Sequence, residues 1–390
     1  MSLRASALLL PVIYLGFISL GLPDGTFGVA WPRMHVGLGV PVGLAGTLAL
    51  VGTLLSAASS FAAGRITARF QTGPVVLVSC VLTGSGLMLV SQAQSMAWLW
   101  LAAVPLGLGA GAVDAGLNAY VARHYSGRHM NWLHACWGIG ATCGPLLMTQ
   151  AIAGSAGWRG GFLLLGGIQL SLAVVFLLSL RLWSAVPART LAASHEHVQI
   201  DSLPTTPANS AAGWLSALIF TFYVAVEGTA GLWAGSILVI GRGINQEAAG
   251  ICVAVYYGLI TAGRVLVGFV VDRWGNRRLV TLGLIVAFAG GLLFTQAADP
   301  LLAGCALAAL GLGFAPVYPC LMHEVPRRFA PQAAMVVIGR QSGAAYFGGA
   351  FAPAAAGWLA ETASLDGIPW ALIGGLLLLA AAIRWLNRIT

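Results

Sequence analysis

Twelve apolar runs of about twenty residues follow one another along this chain, each long enough to cross roughly 30 Å of hydrocarbon. They fall at 7–30, 43–64, 74–93, 98–122, 130–153 and 160–181, then at 212–239, 247–271, 278–297, 300–323, 333–359 and 366–386. Such runs can lie in lipid only as helices, which satisfy their backbone polar groups within the segment. The residues are 58% hydrophobic and 8% charged, where a soluble domain is about a quarter charged. The expected fold class is therefore an all-α integral membrane chain of twelve transmembrane helices.

One interruption divides the runs six and six. Residues 184–211 hold Arg189, Glu196, Asp201, two histidines, three prolines and several Ser/Thr. They read as a polar linker between an N-terminal six-helix bundle (1–183) and a C-terminal one (212–390). The first run has Arg4 before it and no small-residue cleavage site after it, so it reads as a spanning helix.

Charge gives the orientation. The basic residues are all arginine, and the net charge is +8. With the N-terminus inside, fourteen arginines fall on the cytoplasmic side and three (Arg33, Arg159 and Arg242) on the other. Basic residues stay on the cytoplasmic side of short loops. Both termini are thus expected in the cytoplasm of a bacterial-type inner membrane, and the positive charge reads as topology, not nucleic-acid binding. Six cysteines sit inside apolar runs with no CxxC pair, so no metal, redox centre or cofactor is expected.

The halves repeat each other. Asp24-Gly-Thr-x-Gly returns as Glu227-Gly-Thr-x-Gly 203 residues later. Leu106-Gly-Leu-Gly returns at Leu310, and Gly64 at Gly268, both at an offset of 204. Gly140 with Pro145 returns as Gly348 with Pro353 at 208. Six spans per half preserve direction, so the repeats are parallel, about an axis along the membrane normal.

Acids inside these runs are costly, about 2.5–3.5 kcal/mol each on insertion scales, and point to use. Asp24 shares a stripe with Tyr14, Phe17, Gly21 and Gly28. Gly107, Gly111, Asp114 and Asn118 share one helix face by their spacing, as do Tyr223 and Glu227. That stripe suits a cavity or a close helix contact, not lipid. Tyr257 and Arg264 share a face of span eight, with Asp272 as an alternative partner for Arg264. Further polar and aromatic candidates for a cavity wall are His134, Trp137, Trp233, Tyr256, Tyr318, Gln341 and Tyr346.

Gly268-Phe-Val-Val-Asp272-Arg273-Trp-Gly275-Asn276-Arg277-Arg278 resembles the loop signature of the major facilitator superfamily, G-x-x-x-D-R-x-G-R-R. Asn276 departs from it. The first-half counterpart departs further, with Ala68 where the family has Asp and Gln71 where it has Gly. The resemblance implies two six-helix bundles and a conformational latch built on Gly268, Asp272, Arg273, Gly275 and Arg277. Asp114-x-x-x-Asn118, Leu133-His-Ala-Cys-Trp137-Gly and Ala315-Pro-Val-Tyr318-Pro resemble the fucose-permease-like proton symporters. That branch implies secondary active transport of a small polar solute, typically a sugar, by alternating access. It implies proton-coupling roles for Asp24 and Asp114, to which Glu227 is added as a further site. Candidate solute contacts are Asn118, Trp137, Tyr223, Trp233, Tyr256, Tyr257, Tyr318 and Gln341. The expected partners are the solute, protons and the bilayer, with the protein a monomer. Two other readings stand beside this one. The first is a drug or metabolite exporter of the same superfamily, whose pocket needs less hydrogen bonding. The second is a non-transporting receptor or scaffold, in which the acids are dispensable. An enzyme is disfavoured, since no catalytic constellation is present.

Overall fold

A computed structural model describes residues 2–125, 127–185 and 206–390, and these form fourteen α-helices and no strand. Residues 186–205, most of the expected linker, lie outside the described residues. Span one is two helices, α1 (Ser2–Gly21) and α2 (Thr26–Leu38). Spans two to six are α3 (Leu44–Phe70), α4 (Thr72–Ser91), α5 (Met96–His124), α6 (Gly127–Ala153) and α7 (Gly157–Ala185). Span seven is α8 (Ala211–Ser236), prolonged by one π-helical turn at Ile237–Gly241. Spans eight and nine are α9 (Gln246–Trp274) and α10 (Asn276–Thr295). Span ten is kinked at Ala315-Pro316 into α11 (Pro300–Phe314) and α12 (Val317–Arg328), and α13 (Pro331–Thr362) and α14 (Gly367–Ile389) complete the chain.

Span one is longer than the 7–30 expected. The helix breaks at Leu22–Gly25, where Gly25 takes φ 70°, and a second helix then runs to Gly39 at φ 64°. Both angles are left-handed and cost glycine nothing. Where a helix starts in water the sequence supplies the cap. The Asn245 side chain accepts the amide of Ala248 at 2.7 Å. The Asp299 side chain accepts those of Leu301 and Leu302 at 2.9 and 3.0 Å.

The helix pairings show the repeat directly. In the first half α1 packs on α6 and α7, α5 on α3 and α4, and α4 on α7. In the second, α8 packs on α13 and α14, α11 on α9 and α10, and α10 on α14. Each pairing has its equivalent six spans on. The seam between the halves is likewise paired, α6 against α9 and α3 against α13. Among the described residues, ten spans are long and apolar enough to cross a membrane by composition alone. The other two, α6 and α13, are equivalent helices of that seam, where one face meets protein instead of lipid.

The seam is closed toward the face away from the two termini. There the Gln246 amide donates to the Val29 carbonyl at 2.6 Å, and the Gly43 amide donates to Glu361 at 2.6 Å. Helices α2 and α8 touch backbone to backbone. A Cβ on Gly28 would lie 2.5 Å from the Leu232 carbonyl oxygen, and one on Gly235 would lie 2.5 Å from that of Gly28. No larger residue fits such a crossing. Toward the termini, Phe61 of α3 and Phe269 of α9 are exposed.

The loops between spans two and three and between eight and nine are equivalent in backbone. Gly275 takes φ 77°, ψ 149°, and Gln71, 204 positions earlier, takes φ 66°, ψ 161°. This region is essentially reserved for glycine and costs another residue about 1–3 kcal/mol. Gln71 is the one non-glycine residue with positive φ among the described residues.

Candidate functional site

The break in span one presents Asp24 near mid-membrane, and α6 crosses it there. The Trp137 indole N–H donates to Asp24 Oδ2 at 2.7 Å. On its other side Trp137 carries the guanidinium of Arg264, 5.3 Å from the ring centroid. Arg264 in turn pairs with Glu227, Nη2 to Oε1 at 3.4 Å. Sequence offered Arg264 a place on the Tyr257 face of span eight or a pairing with Asp272; the structure pairs it with Glu227, which sequence reading did not name as its partner. The acids of spans one and seven, equivalent in the repeat, are thereby joined through an aromatic ring and a cation.

Asp114 is held differently. Its Oδ1 accepts the Asn118 amide at 2.9 Å, one turn along α5, as the spacing predicted. Tyr346, from α13 in the other half, lies beside the carboxylate. Neither Asp24 nor Asp114 is ion-paired among the described residues; their partners are neutral donors.

A cavity of about 390 Å³ opens from Asp24 into the N-terminal half. Its wall is chiefly apolar, with Leu20, Leu48, Leu87, Leu106, Phe162 and Phe176, and the C-terminal half meets it at Gly228, Leu232, Tyr257, Gly349 and Pro353. Of the predicted solute contacts, Tyr257 lines this cavity. The others are engaged elsewhere. Trp233 is buried and donates to the Pro353 carbonyl at 3.0 Å. Tyr223 is buried and donates to the Phe314 carbonyl at 3.4 Å. Tyr256 donates to the Glu227 carbonyl at 2.9 Å, and Gln341 to Ser216 Oγ at 2.7 Å. Tyr318 packs on Phe220, with ring centroids 4.9 Å apart. Asn118 and Trp137 serve the acids as described.

The expected latch divides. Gly275 makes the turn between α9 and α10. Arg277 pairs with Glu324, Nε to Oε2 at 3.2 Å. Asp272 and Arg273 are exposed, with no ion pair among the described residues, and a Cβ on Gly268 would meet nothing within 4 Å. The acid that gathers the arginines is Glu324 on α12, which sequence reading missed. Arg327 and Arg328 approach it at 3.3 and 3.6 Å, and the Asn276 amide donates to it at 2.8 Å. Asn276, the departure from the family signature, is thus buried against this acid. The spacing Glu324-Val-Pro-Arg327-Arg328 was the available signal, since i+3 and i+4 neighbours share a helix face.

Two six-helix bundles meeting at a seam, with acids at mid-membrane beside a cavity, define a membrane carrier. The profile of the Major Facilitator Superfamily matches residues 13–339, and the chain belongs to that family. It is a transporter of small solutes, not an enzyme. An MFS-type efflux pump of Mycolicibacterium smegmatis is 28% identical over 367 residues, 86% of this chain and 80% of that protein. Among solved structures, the nucleoside transporter NupG covers 96% of this chain over 98% of its own, at a TM-score of 0.73 and 13% identity. An inward-facing, unoccupied bacterial homologue of the human lysosomal transporter Spinster covers 99% over 96%, at a TM-score of 0.77 and 13% identity. At that identity the two structures carry the fold alone.

Proposed function

We propose that the protein is a proton-coupled carrier of a small, largely apolar organic solute. It works as a single chain by alternating access across an inner membrane, with both termini in the cytoplasm. The observation that carries this reading is the cavity at Asp24, about 390 Å³ with a predominantly apolar wall. A sugar needs hydrogen-bonding groups around it. Most of the polar candidates that the fucose-permease-like resemblance would lend to a sugar are spent on bonds within and between helices. This supports the exporter reading over the sugar reading, and the 28% identity to an efflux pump points the same way.

Coupling is supported by charge balance. Asp24 and Asp114 face neutral donors only, so either a proton or a cationic solute can neutralise them. Glu227 already has Arg264. The test is transport by the purified protein in proteoliposomes under an imposed proton gradient. A sugar, a nucleoside and a lipophilic amine are offered in parallel. Gradient-driven movement of the amine alone is expected. Gradient-driven movement of the sugar would restore the symporter reading, and indifference of all three to the gradient would leave an uncoupled carrier.

A further inference from the structure

The repeat seats an aromatic ring on one side of the seam and leaves the matching place open on the other. Tyr257 of α9 reaches across the seam to lie on the break in span one. A Cβ on Gly25 would overlap the edge of its ring and would lie 3.1 Å from Cγ of Pro145 on α6, and one on Gly231 would overlap its hydroxyl. The ring therefore fills a slot that exists only because position 25 carries no side chain, with a proline beside it.

Position 53 of α3 is the counterpart of 257, 204 residues earlier. Contacts fix this register as well as spacing does. A Cβ on Gly311 would overlap the carbonyl oxygen of Tyr256, and one on its counterpart Gly107 would lie 2.5 Å from that of Gly52. Thr53 follows Gly52 as Tyr257 follows Tyr256. The counterparts of Gly25 and Pro145 are Gly228 and Pro353, at the repeat offsets of 203 and 208. Here no ring of the protein fills the slot. A Cβ on Gly228 would meet nothing within 4 Å, and Thr53 Cγ2 lies 3.8 Å from where a Cβ on Gly349 would stand. Thr53, Gly228, Gly349 and Pro353 all line the cavity. The place where the cavity meets the C-terminal half is thus the equivalent of the Tyr257 slot, with a threonine where the ring would be.

We propose that this open slot seats an aromatic ring of the solute, lying on Gly228 beside Thr53 and Pro353 as the Tyr257 ring lies on Gly25 beside Pro145. This rests on the proposed apolar solute and narrows it to one that carries a flat aromatic ring. A saturated ring with the same number of carbons is thicker, and forcing extra bulk into a fitted space is unfavourable.

The probes are 2-phenylethylamine and 2-cyclohexylethylamine, which share chain and ammonium group and differ in ring thickness. Binding to the purified full-length chain is measured by calorimetry, without any gradient. A merely apolar wall favours the saturated ring, which has more apolar surface to bury. The slot reverses that order, and wild type is expected to favour 2-phenylethylamine about tenfold, a difference of about 1.4 kcal/mol. Gly228→Val, which puts a side chain into the open space, is expected to erase the preference. Thr53→Tyr, which supplies the ring from the protein itself, is expected to do the same, and either variant decides if the other does not fold. Equal or reversed preference in wild type, an undiminished preference in a folded variant, or no binding of either amine would each overturn the slot. Gradient-driven amine transport without a ring preference would remove the slot and leave the proposed function, and a ring preference with transport indifferent to the gradient would do the opposite.

Discussion

The indole of Trp137 bonds Asp24 with its edge and carries Arg264 on its face, 2.7 Å on one side and 5.3 Å to the centroid on the other. One side chain of the first half thus touches both the first-half acid and the cation that neutralises the second-half acid. Removing Arg264 leaves Glu227 unpaired among apolar helices. Breaking one partner of a buried pair costs about 3–5 kcal/mol. Both side chains keep some exposure, 20% and 17%, so the lower end applies. Arg264→Leu is expected to lower the melting temperature in detergent, and Arg264→Leu with Glu227→Gln to recover most of the loss. A double variant no better than the single would show that Arg264 stabilises by packing alone.

Gln71 occupies a backbone conformation that its counterpart Gly275 adopts freely. Replacing it with glycine removes strain of about 1–3 kcal/mol and adds back a conformational-entropy cost of roughly 0.5–1 kcal/mol. Gln71→Gly should therefore stabilise by about 1 kcal/mol, read as a higher melting temperature. A lower one would mean that the Gln71 side chain contributes more than the strain costs.

Glu324 is 6% exposed and Arg328 4%, whereas Asp272 is exposed. Glu324→Ala removes the buried carboxylate beside Arg328, which keeps hydrogen bonds to Asn387 and Thr390, and is expected to cost about 3 kcal/mol, the lower end for breaking a buried pair. Asp272→Asn should stay within about 0.5 kcal/mol of wild type, as surface changes do. Melting curves of the two variants side by side decide it. A large loss for Asp272→Asn would show a partner beyond the described residues.

The parallel repeat and all twelve spans were legible from residue spacing, because lipid imposes length and apolarity on every helix. Helical periodicity also found the Asp114–Asn118 pair, since both residues lie on one turn. It could not find the path from Asp24 through Trp137 and Arg264 to Glu227, whose members come from four spans and depend on how α6 crosses the break in span one. Nor could it tell which polar side chains were already spent. Trp233, Tyr256 and Gln341 look like cavity groups in sequence, yet each donates to an acceptor on a neighbouring helix. Glu324 lies outside the loop signature that contains Asp272, and its burial, which sets it apart from that exposed acid, comes from tertiary packing.

The closed face depends on Gly28 and Gly235. A leucine at position 28 cannot be accommodated against the Leu232 carbonyl, so Gly28→Leu should keep the halves apart on that side with each bundle still folded. The readout is a single cysteine at Thr53, on the cavity wall, in a background with the native cysteines replaced. A membrane-impermeant maleimide added from the side opposite the termini should label it several-fold faster in Gly28→Leu than in wild type. Equal rates would mean that the seam closes through other contacts.

The coupling prediction turns on Asp114. A proton moving down one pH unit supplies about 1.4 kcal/mol, enough for roughly tenfold accumulation of a cationic solute exchanged one for one with it. Asn at position 114 keeps the hydrogen-bonding shape beside Asn118 and Tyr346 but cannot take up or release a proton. Asp114→Asn is therefore expected to reduce gradient-driven accumulation from this ceiling to near unity, while exchange of labelled for unlabelled solute at equal concentrations continues. Asp24→Asn should lose accumulation as well and, if the carboxylate also holds the solute's cationic end, weaken exchange. Loss of accumulation and exchange together in Asp114→Asn would make that residue a binding or structural group, and undiminished accumulation would remove it from coupling altogether.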